Sequence, residues 1–169
     1  MDNHIHSGRI GVDLQYSPKT KIGLMMHSMV HQFNPNGTSS TEIEDALNNK
    51  VSAFVTKNNS RDIWPNYAIN GNIKHLIDTH GRTLTIDLDY AKYWNTTNQF
   101  FNTKYTDLSG NKIRSDYNLD GDLQGKLQIR SFKMDYSHPF NRQKWKAEMG
   151  IKASAMKADN ELEYYDVSN

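Results

Sequence analysis

Residues 83–94 read TLTIDLDYAKYW. Leu84, Ile86, Leu88 and Tyr90 share one parity, while Thr83, Thr85, Asp87 and Asp89 share the other. In an extended chain successive side chains point to opposite sides, so this stretch makes a strand with one apolar and one polar face. The polar face suits water. What lies against the apolar face decides the fold: the core of a soluble protein, or lipid.

The alternation recurs along the chain. Ile10, Val12, Leu14 and Tyr16 share a face within residues 8–16, and Ile22, Leu24, Met26 and Val30 do so within 21–33. Ile69, Ile73 and Ile77 do so within 67–77, and Trp145, Met149 and Ile151 within 145–157. Residues 126–138 are less regular: Phe132, Met134 and Tyr136 agree in parity, but Ile129 does not. With 83–94 these make about six strands, each near or above the roughly 9–11 residues that cross a bilayer at a tilt. No window sustains a helical period; TEIEDALNNK (41–50) comes nearest, and Asn48-Asn49 weaken it.

Connections alternate in length. Short turns with Pro, Gly, Asp and Asn lie near Pro18, Thr79 and Phe140, successive centres being 61 residues apart. The intervening segments, about 34–66 and 95–125, are long and rich in Asn, Ser, Thr, Asp and Gly, and read as loops. Loops of that length are uncommon inside a compact soluble domain, whereas membrane β-barrels carry short turns on one rim and long loops on the other. The expectation is an all-β antiparallel meander over 1–169, one segment of a transmembrane β-barrel wall.

Composition agrees. Only 36% of the 169 residues are hydrophobic, mean hydropathy is −0.81, and 20 basic against 19 acidic residues leave a formal charge of +1. That is lean for a large buried core. The balanced charge speaks against a nucleic-acid partner, which draws on a clustered basic excess. The absence of cysteine excludes a disulfide framework and thiolate-bound zinc. No run approaches the roughly 18 apolar residues of a membrane-spanning helix. MDNHIHSGRI lacks the basic and apolar regions of a signal peptide, so this end reads as that of a cytoplasmic protein or of a piece from a longer one.

The runs DIWPNYAINGNIKHLIDTHGRTLTIDLDYAKYWNTTNQFF (62–101) and DYSHPFNRQKWKAEMGIKASAMKADNELEYY (135–165) resemble the barrel region of TonB-dependent outer-membrane receptors, of the outer-membrane β-barrel kind common in Bacteroidetes-type bacteria. The resemblance covers most of the chain from about residue 8. It implies an outer-membrane location, lipid as neighbour, and nutrient import (a siderophore, a glycan or similar). It also implies an inner-membrane TonB-type energy-coupling partner, engaged through an N-terminal part that this sequence lacks. A receptor of this kind closes a roughly 22-stranded barrel around a plug, so about six strands make a slice, with open edges prone to self-association. The alternative is a soluble all-β module binding a ligand or carbohydrate.

In the barrel reading Leu84, Ile86, Leu88 and Tyr90 face lipid, Asp87 and Asp89 face the interior, and Tyr16, Tyr90, Tyr93, Trp94 and Trp145 form interfacial girdles. Trp64, Tyr67, Trp94, Tyr105, Tyr117 and Asp120 are candidate ligand contacts on or beside the long extracellular loops. Met25, His27, Met29 and His31 share a strand face, and thioether with imidazole suits copper(I). Alternate residues on a strand stand about 7 Å apart, however, so four in a row do not converge without a bend. His4 and His6 lie near an end expected to fray. NLDGDLQG (118–125) resembles a calcium loop but lacks its spacing and closing Glu, and reads as a turn. No cofactor motif or enzyme signature occurs, and a non-enzymatic role is expected.

Overall fold

A computed structural model describes residues 3–140 and 144–168. They form one antiparallel sheet of β1 (Asn3–Ser17), β2 (Thr20–Phe33), β3 (Asn36–Glu44), β4 (Lys50–Leu76), β5 (Thr83–Thr106), β6 (Tyr117–Phe140) and β7 (Trp145–Asp166). The spatial order is β1-β2-β4-β5-β6-β7, with β3 also on β4.

β3 is not a separate wing. β2 pairs with β4 from Thr20↔His75 to Phe33↔Asp62, and β3 resumes the same register at Asn36↔Asn59. Only Asn34 and Pro35 fall out of the ladder. Proline has no amide hydrogen to donate, yet its carbonyl still accepts from the Ser60 amide at 2.9 Å. β2 and β3 are therefore one long strand nicked at Pro35, and the sheet is a six-position meander. A second proline marks β4: the β4–β5 ladder runs to Ile63↔Thr96 and from Asn66↔Tyr93, skipping Trp64 and Pro65.

The segments expected to be long loops are mostly strand. Residues 34–66 contain β3 and the first half of β4, and 95–125 hold the ends of β5 and β6. Trp64, Trp94, Tyr105, Tyr117 and Asp120 all lie in strands, not loops, and so does NLDGDLQG, expected as a turn. The reason is non-local. Asn and Thr are weak strand formers alone, but here each has a ladder partner on one or both sides, as in Asn102↔Asn118 and Thr56↔Thr103. β4 reaches 27 residues, well over twice what a crossing needs. The expected turn at Phe140 starts later, because β6 runs through it to pair with Trp145. His4 and His6, expected to fray, lie opposite Gln32 and Val30 in the β1–β2 ladder.

Three connections share one design. Asp45 Oδ1 accepts the amides of Leu47 and Asn49 at 2.8 and 2.9 Å, and Asp107 Oδ1 those of Ser109 and Asn111 at 2.9 and 2.7 Å. Asp78 Oδ1 accepts those of His80 and Arg82 at 3.0 and 3.3 Å. In each the last residue reaches back to the other carboxylate oxygen: Asn49 Nδ2, Asn111 Nδ2 and Arg82 Nε. The fourth residue is left-handed, with φ 60° at Asn48, 91° at Gly81 and 83° at Gly110. That is why the sequence offers Asn or Gly there. The pattern D-x-x-[NG]-[NR] was readable at all three places.

The turn tips are staggered. Thr20, at the β1–β2 turn, is level through His75 and Leu84 with Tyr136. The β6–β7 hairpin closes four residues beyond Tyr136, at Phe140↔Trp145. Spread over four strand-to-strand steps this is one residue per strand. With a rise of about 3.3 Å and a spacing of about 4.8 Å, the strands lean by about 35° from the perpendicular to that rim. Barrel walls lean by this much.

Candidate functional site

Register extends the two faces of TLTIDLDYAKYW across the whole sheet. One row runs Leu14, Ile22, Ile73, Ile86, Met134, Ile151, and the next runs Val12, Leu24, Gly71, Leu88, Phe132, Ala153. Leu84, Ile86, Leu88 and Tyr90 stand together on this apolar side. It is uncovered: Val12 is 64% exposed, Leu88 56% and Ile151 59%. Among the described residues no hydrophobic side chain is buried.

The buried residues are polar and lie on the other side. Ser60, Asp62, Thr97 and Thr103 are each 7% exposed, and all share the side of Asp87 and Asp89. Hydrogen bonds cross the ladders there: Asp89 accepts from Asn70 Nδ2 at 2.6 Å and from Ser131 Oγ at 2.8 Å. A soluble module puts its crowded side where its apolar residues are. Here the two are on opposite sides, the arrangement of a wall that curls around a polar interior.

Aromatic rings bound the apolar side. At one edge Tyr67 packs on Tyr90 and on Trp94, both with centroids 5.9 Å apart, and Lys92 sits 5.5 Å over the Trp94 ring. At the other edge Tyr136 contacts His138, whose ring stacks on Phe140 at 4.2 Å, and Trp145 pairs with Phe140. Tyr16 falls at the register shift in β1 and has no ladder partner, and Tyr93, expected in the girdle, points to the polar side because its parity is that of Asp89. Tyr90 is opposite Arg130. From Arg130 to Phe140 is about 34 Å of strand, or about 28 Å of height at the lean above, close to the roughly 25 Å apolar band of membrane barrels.

The polar side carries an open groove of about 550 Å³. Met29, His31, Trp64, Asn66, Tyr93 and Asn95 line it, with Gly125 as its floor and Leu127, Ala158 and Asn160 opposite. The missing side chain at Gly125 makes room for its neighbours: a Cβ there would overlap Asn95 Oδ1 and lie 3.0 Å from Asn160 Oδ1, so both amides would have to turn aside. Trp64 meets Phe33 and His31 edge-on at 5.1 and 6.2 Å. On the same side Asp62 Oδ1 is buried without a hydrogen-bond partner among the described residues.

The sequence-proposed ligand residues are thus divided by parity. Trp64, Tyr105 and Tyr117 are on the polar side, and Trp94, Tyr67 and Asp120 on the other. Tyr93 and the amide trio Asn66, Asn95 and Asn160 were missed; register is the signal that finds them. Met25, His27, Met29 and His31 form a straight row on the polar side of β2. His31 there stacks on Phe33 at 4.7 Å and hydrogen-bonds Asn3 at 2.7 Å. Among the described residues no three His, Asp or Glu side chains are grouped as a metal site.

The turn carboxylates hold their protons weakly. Arg82 beside Asp78 lowers that carboxyl to about 2, and the amide bonds from Asn49 and Asn111 lower Asp45 and Asp107.

Comparison with curated proteins gives no match. Residues 75–169 match the model of a family described as an outer membrane protein beta-barrel family. That span covers β5, β6 and β7 and the turn that precedes them, the strands that carry most of the ring residues at both edges and the groove floor. An uncovered apolar side bounded by rings, a crowded polar side and this match agree: the protein is an outer-membrane β-barrel protein and belongs to that family.

Proposed function

We propose that the sheet is wall from a TonB-linked outer-membrane receptor that imports a nutrient, with Leu84, Ile86, Leu88 and Tyr90 toward lipid and the groove toward the lumen. Its role is non-enzymatic: it shapes a passage and supplies ligand contacts, and the energy comes from an inner-membrane partner. The two outermost strands, β1 and β7, do not pair with each other, which supports a place within a wider barrel. A soluble module would need a cover for the apolar side, and among the described residues none lies there.

The groove carries the reading. It pairs exposed ring faces, Trp64 at 45% and Tyr93 at 42%, with amide side chains that both donate and accept. The groove-lining side chains of polar-side parity include no carboxylate, lysine or arginine. Rings that cover C–H surfaces beside amides that bond hydroxyls suit a neutral, hydroxyl-rich ligand such as a saccharide. A charged iron chelate would call for fixed countercharge.

The test uses the intact protein bearing Trp94→Phe and Trp145→Phe, which leaves Trp64 as its single indole within this segment. Neutral oligosaccharides should change its fluorescence saturably, and Tyr93→Ala should weaken binding roughly tenfold. Uptake of the same sugar by cells should stop when the proton-motive force is collapsed. Binding without that dependence would make the protein a passive pore; absence of binding by any neutral sugar would reject the saccharide.

A further inference from the structure

Four cations surround one glutamine on the apolar side, immediately beyond the band. Gln128 on β6 lies opposite Lys92 of β5 and Lys157 of β7, and its same-side neighbours along β6 are Lys126 and Arg130. Cross-strand neighbours stand about 5 Å apart at Cβ and alternate residues about 7 Å apart, so the four heads can reach one point above Gln128. None of the four makes an ion pair among the described residues. Asp159 is opposite Lys126 in the ladder and is not joined to it by an ion pair.

The cluster is one-sided. At the other edge of the band the same three strands present Leu84, Tyr136, His138, Phe140, Trp145 and Met149; the adjoining turn brings Arg82 beside Tyr136, but that cation is already ion-paired with Asp78. The cationic edge is also the one with Tyr90 and Trp94, and two of its cations lie near those rings: Lys92 over Trp94, and Arg130 6.0 Å from Tyr90. Their stems thus lie along apolar surface while their heads stay at the height where acyl chains give way to headgroups.

Four cations gathered beside only two carboxylates on that side among the described residues, Asp159 and Glu161, neither of which is ion-paired to them, are costly unless a further anion joins them. The anion available at that height beside an acyl-chain surface is a lipid phosphate. We infer that Lys92, Lys126, Arg130 and Lys157 form a docking site for the phosphorylated headgroup of an anionic lipid, seated on the Tyr90–Trp94 edge. The site rests on the reading that the apolar side faces lipid. It lies in the leaflet nearer the 45–49 and 107–116 connections, and it ties β5, β6 and β7 to that leaflet.

The test titrates the intact protein in mild detergent with phosphatidic acid or with diacylglycerol, the same lipid without its phosphate, and counts bound lipid by native mass spectrometry. Phosphatidic acid should bind roughly tenfold tighter or more than diacylglycerol. The preference should vanish in Lys92→Gln/Lys126→Gln/Arg130→Gln/Lys157→Gln and survive in the matching charge-preserving variant, with lysines changed to Arg and Arg130 to Lys. Should the quadruple variant lose its folded gel mobility, Lys157→Gln alone should still lower the preference measurably. Equal retention of both lipids by the wild type, an unchanged preference in the Gln variants, or full displacement by millimolar inorganic phosphate would overturn the site. Retention of neither lipid would overturn the membrane orientation as well.

Discussion

Trp64 and Trp94 stand on adjacent strands, one register position apart, and project from opposite sides of the sheet. Trp64 joins His31 and Phe33 on the polar side; Trp94 joins Tyr67 and carries Lys92. Two indoles so close in space therefore serve different neighbours. Trp94→Ala removes an aromatic pair and a cation–π contact and should destabilise the bilayer-inserted protein by about 1–2 kcal/mol. Trp64→Ala should leave assembly intact and impair ligand binding instead. Urea unfolding from vesicles, run beside the sugar titration, separates the two; equal unfolding losses would refute the division.

Leu88 and Asp87 make the same contrast one turn-ward step along β5. Leu88 lies inside the band between Gly71 and Phe132, two residues from Tyr90 at its edge, whereas Asp87 lies between Asn72 and Lys133 on the polar side. A lysine on the lipid side costs up to about 2–4 kcal/mol at the midplane and less toward the edges, so the cost at Leu88 lies between these limits. Leu88→Lys should lower the amount of protein in the outer membrane, and Asp87→Lys should not. Quantitative blotting of membrane fractions checks this, and the reverse outcome would turn the wall inside out.

The Asp78 turn gives a pH signature. Its carboxyl is held at about 2, below an ordinary value of 3.8, chiefly by the Arg82 side chain. A folded value below the unfolded one means stability that is fully present above the unfolded value and lost as pH falls from about 3.8 toward about 2. Asp78→Asn should therefore be less stable than the wild type at pH 6, and the difference should shrink steadily as pH falls from about 3.8 to about 2. Thermal unfolding across that range is the measurement; a gap that widens on acidification would contradict the geometry.

Topology is testable with tags. The 45–49 and 107–111 turns share one rim, and the 78–82 turn lies on the other. In cells making the intact protein, antibody should reach tags inserted after Leu47 or Ser109 and miss one after Thr79. Labelling confined to Thr79 would invert the orientation.

Among the described residues β1, β3 and β7 each have an unpaired strand edge, beside an uncovered apolar side. The 169-residue chain alone should associate or require detergent, since such edges and patches recruit further strands and apolar surface. Sedimentation without detergent checks this. A monodisperse monomer would argue for the soluble alternative.

The sequence by itself determined the two faces and the hairpin order. Side-chain alternation is a property of each residue's own backbone, so Leu84, Ile86 and Leu88 share a side in any strand that forms. The turns were equally local: an aspartate, a left-handed Asn or Gly, and a side chain reaching back. Tertiary structure decided the rest. Asn- and Thr-rich stretches such as 50–62 and 95–106 became strand because neighbouring strands supplied ladder partners, a stabilisation that composition does not display. Register also decided which rings meet. A shift of one residue moves a side chain to the opposite face, so the company kept by Tyr93, Trp64 and Gly125, and the gathering of four cations around Gln128, depended on pairings between residues far apart in sequence.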